Sequence, residues 1–176
     1  MNHDHYDNSV IEAILASTKT IAMLGASANE TRPSWFVMRY LLGKGYTIIP
    51  VNPGQAGGEI LGQTVYTILS DIPVAIDMVD VFRPTSALPG IIDEVLALAT
   101  LPKVLWTQLT IRDDVQAARA EVAGITVIQN RCPKIEYARL SGEIGWTGVS
   151  SGIISSRKPV LLKGVQSFGL PDKKQE

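Results

Sequence analysis

Short apolar runs closed by glycine, proline or polar residues alternate along the chain with stretches whose apolar positions recur every three or four residues. The runs are Lys19–Gly25, Tyr46–Val51, Ala75–Phe82, Lys103–Thr107 and Gly124–Gln129, and they predict five strands. The periodic stretches predict helices at Ser9–Ala16, from Pro33 to about Lys44, and at Ser86–Ala99, Arg112–Val122 and Lys134–Leu140. Ser86–Ala99 is the clearest of these, with Leu88, Ile91, Ile92, Val95, Leu96 and Ala99 on one broad face. Gly43 and Gly45 bracket the end of the second helix, where a left-handed cap is expected. Asp113 and Asp114 suit the positive dipole end of the fourth. Only Gln55–Pro73 breaks the rhythm: it is rich in glycine and predicts a loop with one short helical turn near Val65–Leu69.

Strands alternating with helices predict an α/β fold, a parallel sheet covered on both faces. The expected strand order is 3-2-1-4-5. Pro50 lacks the N–H a mid-sheet ladder needs, which places it at the carboxyl end of the second strand. Ligands in such sheets lie beyond the carboxyl ends of the strands, here expected at the switch point between the first and fourth. Residues 1–140 form one domain, and 141–176 read as an extension, Gly/Ser-rich over Ser141–Ser156, with a polar end from Lys163 to Glu176.

The first strand end carries the chemistry. The run Ile21–Leu24 stops at Gly25-Ala26-Ser27, a polar loop follows, and Arg32-Pro33-Ser34 opens a helix. A strand, a tight glycine turn and a helix start together receive a phosphate, because the unpaired N–H groups of the first turn point at the anion. Ser34 or Thr31 is expected to cap this helix, and Pro33 suits its first turn. The loop matches neither the G-x-G-x-x-G dinucleotide fingerprint nor a P-loop, since Ser27 stands where the second glycine belongs.

At the other strand ends, Val51-Asn52-Pro53 closes the second strand. Asn52 stands where a nicotinamide enzyme carries an acid for the ribose, about 20 residues or a little more past the turn. No acid lies between Gly43 and Gly58, which counts against NAD. Arg83 follows Val81-Phe82 and either faces the crevice as a phosphate ligand or pairs with Asp77 or Asp80. Trp106 reads as core, Gln108 has an amide able to reach a ligand, and Cys132 stands beside the same crevice. A lone cysteine is commonly a small buried hydrophobe, and a reactive thiol here would instead meet a ligand's thiol.

Composition removes several classes of function. A net charge of −1 offers no basic field for nucleic acid, and no apolar run approaches the ~20 residues of a membrane span. The first ten residues contain acids and no basic segment, so they are not read as a secretory signal, and the expected address is the cytoplasm. One cysteine excludes an internal disulfide framework, and the lack of a Cys/His cluster excludes a zinc site. His3 and His5 fall in what reads as a frayed terminus. No histidine stands near a strand end and no nucleophile elbow is present, so no catalytic residue is expected.

The ordered set Gly25-Ala26-Ser27, Arg32-Pro33-Ser34, Pro50-Val51-Asn52-Pro53, Glu59-Ile60-Leu61-Gly62, Asp77 through Arg83, Trp106-Thr107-Gln108-Leu109 and Arg131-Cys132-Pro133 with Ile135-Glu136 resembles the small stand-alone CoA-binding proteins. These are similar to the CoA-binding domain of the succinyl-CoA synthetase α subunit. The match runs from about Val10 to Arg139. The resemblance implies a Rossmann-like, nucleotide-binding fold that holds coenzyme A or an acyl-CoA with no established reaction of its own. It implies Gly25, Ala26, Ser27, Arg32, Pro33 and Ser34 at the phosphates, and Asn52 and Pro53, after Val51, along the nucleotide. It also implies Val81, Phe82 and Arg83 as the crevice wall. Thr110 departs from the pattern, because the family usually has glycine there, and its Cβ narrows the approach on the fourth-strand side. The phosphorylated histidine of the synthetase has no counterpart. The competing readings are an NAD(P)-linked oxidoreductase on the same fold and a structural or regulatory partner domain with a vestigial crevice.

Overall fold

The computed structural model describes residues 1–143. In chain order the elements are α1 (Asn8–Ser17), β1 (Thr20–Leu24), α2 (Pro33–Gly43), β2 (Thr47–Val51), β3 (Glu59–Ile60), β4 (Gln63–Thr64), β5 (Met78–Val81), α3 (Leu88–Leu96), β6 (Val104–Thr107), α4 (Asp114–Val122), β7 (Thr126–Ile128) and α5 (Pro133–Leu140). Five parallel strands form one sheet in the order β2-β1-β5-β6-β7, and β3 and β4 form a separate hairpin. The architecture is the expected α/β, Rossmann-like one. The extension expected beyond Leu140 lies outside the described residues from position 144 onward.

Alternation along the strands sorts side chains into two cores. Ile21 and Met23 of β1, Met78 of β5 and Trp106 of β6 pack under α1, α2 and α5. Ala22 and Leu24, Val79 and Val81, and Leu105 pack under α3 and α4. Every residue of β5 and β6 is buried, as a sheet covered on both faces demands. The expected left-handed residue after α2 is Gly45, with φ of 88°.

The strand order corrects the expected 3-2-1-4-5. The third long strand, β5, lies between the first and the fourth rather than outside the second. Pro50 supplies the reason. A strand residue points its N–H and C=O toward the same edge, and the Pro50 carbonyl accepts from Tyr66 N–H at 2.9 Å on the outer side of β2. The missing N–H therefore falls on that outer edge, where a full further strand would need it. A single parallel bridge between Val51 and Tyr66 is all that forms there. The irregular connection holds the β3–β4 hairpin rather than only a loop. Leu61 and Gly62 both have positive φ at its turn, the pairing that suits a two-residue hairpin. The short helical turn comes later than expected, as a 3-10 turn at Leu69–Asp71.

The N-terminus is docked, not frayed. Tyr6 is buried, and its hydroxyl accepts from Gln129 N–H at 2.8 Å and meets His3 Nδ1 at 2.8 Å. His3 is buried too, and burial lowers its pKa against the raising effect of Glu121. His5 remains exposed. Among the described residues no His, Cys, Asp and Glu side chains gather as a metal site, and no helix is long and apolar enough to cross a membrane.

The ends of β6 and β7 are stitched together. Thr110 N–H donates to Asn130 Oδ1 at 2.7 Å, and the Thr107 hydroxyl donates to the Ile111 carbonyl at 2.6 Å. Thr110 holds φ at 69°, a left-handed conformation that is strained for a β-branched residue. Replacing it with glycine removes a penalty of about 1–2 kcal/mol. Glycine's larger loss of chain entropy offsets roughly 0.5–1 kcal/mol of that gain. Thr110→Gly is therefore expected to stabilise the protein by up to about 1 kcal/mol in urea denaturation. Unchanged or lower stability would show that Thr110 is not strained in solution.

Candidate functional site

Gly25 sits where three strand ends meet. Its N–H donates to the Val51 carbonyl at the end of β2 at 2.9 Å, and the carbonyl just before it, on Leu24, accepts from Phe82 N–H at 2.8 Å. Its φ is 82°, and a Cβ at this position would lie 3.0 Å from both Arg83 Cδ and the Phe82 carbonyl oxygen. Glycine is required here by conformation and by space together. The switch point therefore lies between β1 and β5, which corrects the expected place between the first and fourth strands and brings Arg83 against the glycine turn.

The loop that follows is held by side chains from the neighbouring connection. Asn52 Nδ2 donates to the Ala26 carbonyl at 2.7 Å, while its Oδ1 accepts from Gly54 N–H at 2.9 Å. Asn52 thus caps the 3-10 turn Pro53–Gln55 and fixes the glycine turn with the same amide. Gln55 Oε1 accepts from Ala28 N–H at 2.9 Å. The Asn29 side chain accepts from Thr31 N–H and from its hydroxyl, at 2.9 and 2.8 Å. Gln55 and Asn29 escaped the sequence reading, because a lone polar residue in an irregular loop carries no spacing signal.

α2 begins at Pro33 as expected, but its N-cap is Arg32, which makes no side-chain capping bond. Neither expected cap serves. Thr31 turns to Asn29, and Ser34 is buried inside the first turn. The helix start therefore keeps N–H donors that its own side chains do not satisfy. Ala26 is fully buried, Ser27 is half-buried, and Arg32 and Pro33 are exposed.

Arg83 is exposed at the end of β5, and among the described residues it makes no ion pair. The two carboxylates considered as its partners are engaged elsewhere. Asp77 accepts from the N–H groups of Lys19 and Thr20 and pairs with Lys103 at 3.0 Å. Asp80 is fully buried and accepts from Gln108 Nε2 at 2.8 and 3.1 Å. Gln108 is thus brought to the floor of the crevice with its amide turned to Asp80. Val51 and Val81 reach the strand ends with their side chains in the core under α3 and α4. Phe82 packs partly buried on the opposite face, and Pro53 is exposed.

Cys132 precedes α5 and is buried on the same face as Asp80. Burial pushes its thiol up to about 11; the N–H groups of Ile135 and Lys134 act against this, and Asp80 adds to it. At neutral pH it is a thiol, poorly disposed to exchange. The carboxyl of Asp80 is raised by burial to about 7, opposed by the Gln108 amide.

The family model described as a CoA-binding domain matches residues 19–138. The chain is 36% identical over 128 residues to YneT of Bacillus subtilis (strain 168), described as an uncharacterized protein; the match covers 73% of this chain and 92% of that one. It is similar in structure to the Thermus thermophilus protein solved as cell-free ID.343. That likeness has a TM-score of 0.72 at 40% identity and covers 76% of this chain and 98% of the other. A hypothetical protein from Pyrococcus horikoshii OT3 gives a TM-score of 0.72 at 34% identity, covering 78% and 94%.

Asp80 makes stability depend on pH in a definite direction. An unfolded aspartate ionises near 3.8, whereas the folded carboxyl keeps its proton to about 7. Between these values folding takes up a proton, so stability falls as pH rises through the window. Asp80→Asn removes that slope while leaving an acceptor for Gln108. The variant is expected to gain stability relative to the parent between pH 5 and pH 8, as measured by urea denaturation at each pH. Parallel pH profiles of parent and variant would refute the assignment.

Proposed function

We propose that this chain, which belongs to the family of CoA-binding domains, holds free coenzyme A or an acyl-CoA at the carboxyl ends of β1, β2 and β5 without a covalent step of its own. The observation that carries the reading is the Gly25 turn, wedged against Arg83 with no room for a Cβ. Such a turn lets a phosphate approach the backbone closely, and the start of α2 supplies donors and dipole. Arg32 and Arg83 add forked cations suited to phosphate oxygens. Val51, Asn52 and Pro53 flank the nucleotide end, with Val81 and Phe82 as the wall toward β5. Gln108 and Cys132 serve as floor beneath the arm, Gln108 through its hold on Asp80 and Cys132 as a packed thiol. The expected setting is the cytoplasm.

Asn52 argues against the nicotinamide alternative. Asn52 is neutral and both heteroatoms of its amide already hold backbone groups, so it lacks the charge with which an acid at this place accepts from ribose hydroxyls.

Coenzyme A at ~100 times its dissociation constant adds about 2.7 kcal/mol of stability. For a domain of this size the melting temperature should rise by roughly 5–10 °C, with a much smaller shift for NAD or NADP. A larger shift with NADH than with coenzyme A would put the oxidoreductase reading first, and no shift with either would leave a partner domain. Arg83→Glu should cost more affinity than one charged hydrogen bond, about 1.5–3 kcal/mol, because repulsion replaces attraction. Unchanged affinity in the folded variant would remove Arg83 from the site.

A further inference from the structure

A cavity of about 430 Å³ opens where the N-terminal segment crosses α1 and α5, lined by Tyr6, Asn8, Ile11, Arg131, Glu136 and Arg139. Arg131 follows the end of β7, three strand spacings from β1 and so roughly 14 Å along the sheet edge. The cavity is therefore separate from the glycine turn.

Its polar wall is built from buried charge. The side chains of Glu136 and Arg139 are 7% and 6% exposed. Arg139 is engaged at all three nitrogens: Nε and Nη2 donate to Glu136 Oε2 at 3.2 and 2.5 Å, and Nη1 donates to Asn8 Oδ1 at 2.8 Å. Arg131 is not. Its Nη1 donates to the Asn130 carbonyl at 2.9 Å, but its Nε stands 3.9 Å from Glu136 Oε1, beyond hydrogen-bond reach. Two guanidinium groups thus share one buried carboxylate, and Arg131 keeps donors that no described residue fills. The rim pair of His5 and Asp7, 3.6 Å apart, is largely exposed and screened by water. The apolar part of the lining is Ile11 and the Tyr6 ring. Ile11 is buried, and the Tyr6 ring lies 5.5 Å from the Arg131 guanidinium.

We propose that this cavity binds a small aliphatic carboxylate, whose charged end Arg131 takes and whose carbon body lies against Tyr6 and Ile11. A guanidinium fork matches a carboxylate in two parallel bonds. A cavity of this size, combining some apolar surface with fixed polar groups, is of the kind that holds a small molecule. The proposal does not rest on coenzyme A binding.

Calorimetric titration of the full chain with sodium butyrate, at ionic strength fixed with chloride, tests it. Butyrate should bind with and without saturating coenzyme A, and Arg131→Gln should weaken it at least tenfold. Inorganic phosphate, which lacks the carbon body, and n-butanol, which lacks the charge, should both bind more weakly than butyrate. No butyrate binding, equal affinity in the variant, phosphate or butanol binding as tightly, or displacement by coenzyme A would each overturn the proposal. Should Arg131→Gln fail to fold, amide and guanidinium NMR shifts on adding butyrate to the parent decide instead. Shifts centred on Asn8, Arg131 and Arg139 are expected, and shifts elsewhere only would refute the site.

Discussion

The geometry of the site depends on the impossibility of a side chain at position 25. The turn is held from both sides, by the β2 carbonyl of Val51 and by the N–H of Phe82 after β5, and a Cβ would press on Arg83 and on the Phe82 carbonyl. Because the backbone turns left-handed there, the chain leaves β1 abruptly and reaches α2 through a loop that Asn29 ties to Thr31 and Arg32. Asn52 and Gln55 then brace that loop from the β2 side, through the Ala26 carbonyl and the Ala28 N–H. One constraint thus aligns three strand ends, a helix start and a cation, and a single substitution at Gly25 would disturb all of them.

Below the turn the sheet is not wholly apolar. Asp80 in mid-sheet accepts from Gln108 alone among the described residues, and Cys132 stands on the same face. Burial holds both the carboxyl and the thiol toward their protonated forms. Removing charge in this way lowers the cost of seating polar groups under a crevice, which an ionised pair would raise steeply. The same burial disfavours the thiolate of Cys132.

The elements themselves were legible in the sequence because their signals are local. Apolar runs closed by glycine, proline or polar residues marked the five long strands, and the Pro33 start of α2 needed only the fixed φ of proline. Strand order was not legible from the runs alone, since every parallel strand buried on both faces reads alike. The decisive residue was in view, however: Pro50 excludes a neighbour on one edge of β2, and that edge fixes where β5 goes. The docked N-terminus was hidden for a different reason. His3 and Tyr6 are anchored by a hydrogen bond to Gln129, more than a hundred residues away, and nothing in their own spacing records it. Gln108 was found at the right strand end, but its bond to Asp80 was not, because sequence shows that an amide is present and not which way it turns.

The strand order also makes the ligand edge asymmetric. At β2, β1 and β5 the carboxyl ends lead, in that order, into a short 3-10 turn, a glycine turn and an arginine that forms no ion pair among the described residues. At β6 and β7 the ends are closed by Thr107, Thr110 and Asn130, whose side chains and backbone bond to one another. The strain at Thr110 is retained because the Asn130 amide holds its N–H, so closure on this side is bought with backbone conformation. A phosphate at Gly25, as proposed, would meet backbone donors on the β1 and α2 side and a hydrogen-bonded rim toward β7. In the proposed reading, a ligand arm that extends from the turn toward β6 passes across Phe82 and Gln108, so its distal contacts fall on the β5 and β6 ends, away from the arginines proposed for the charge.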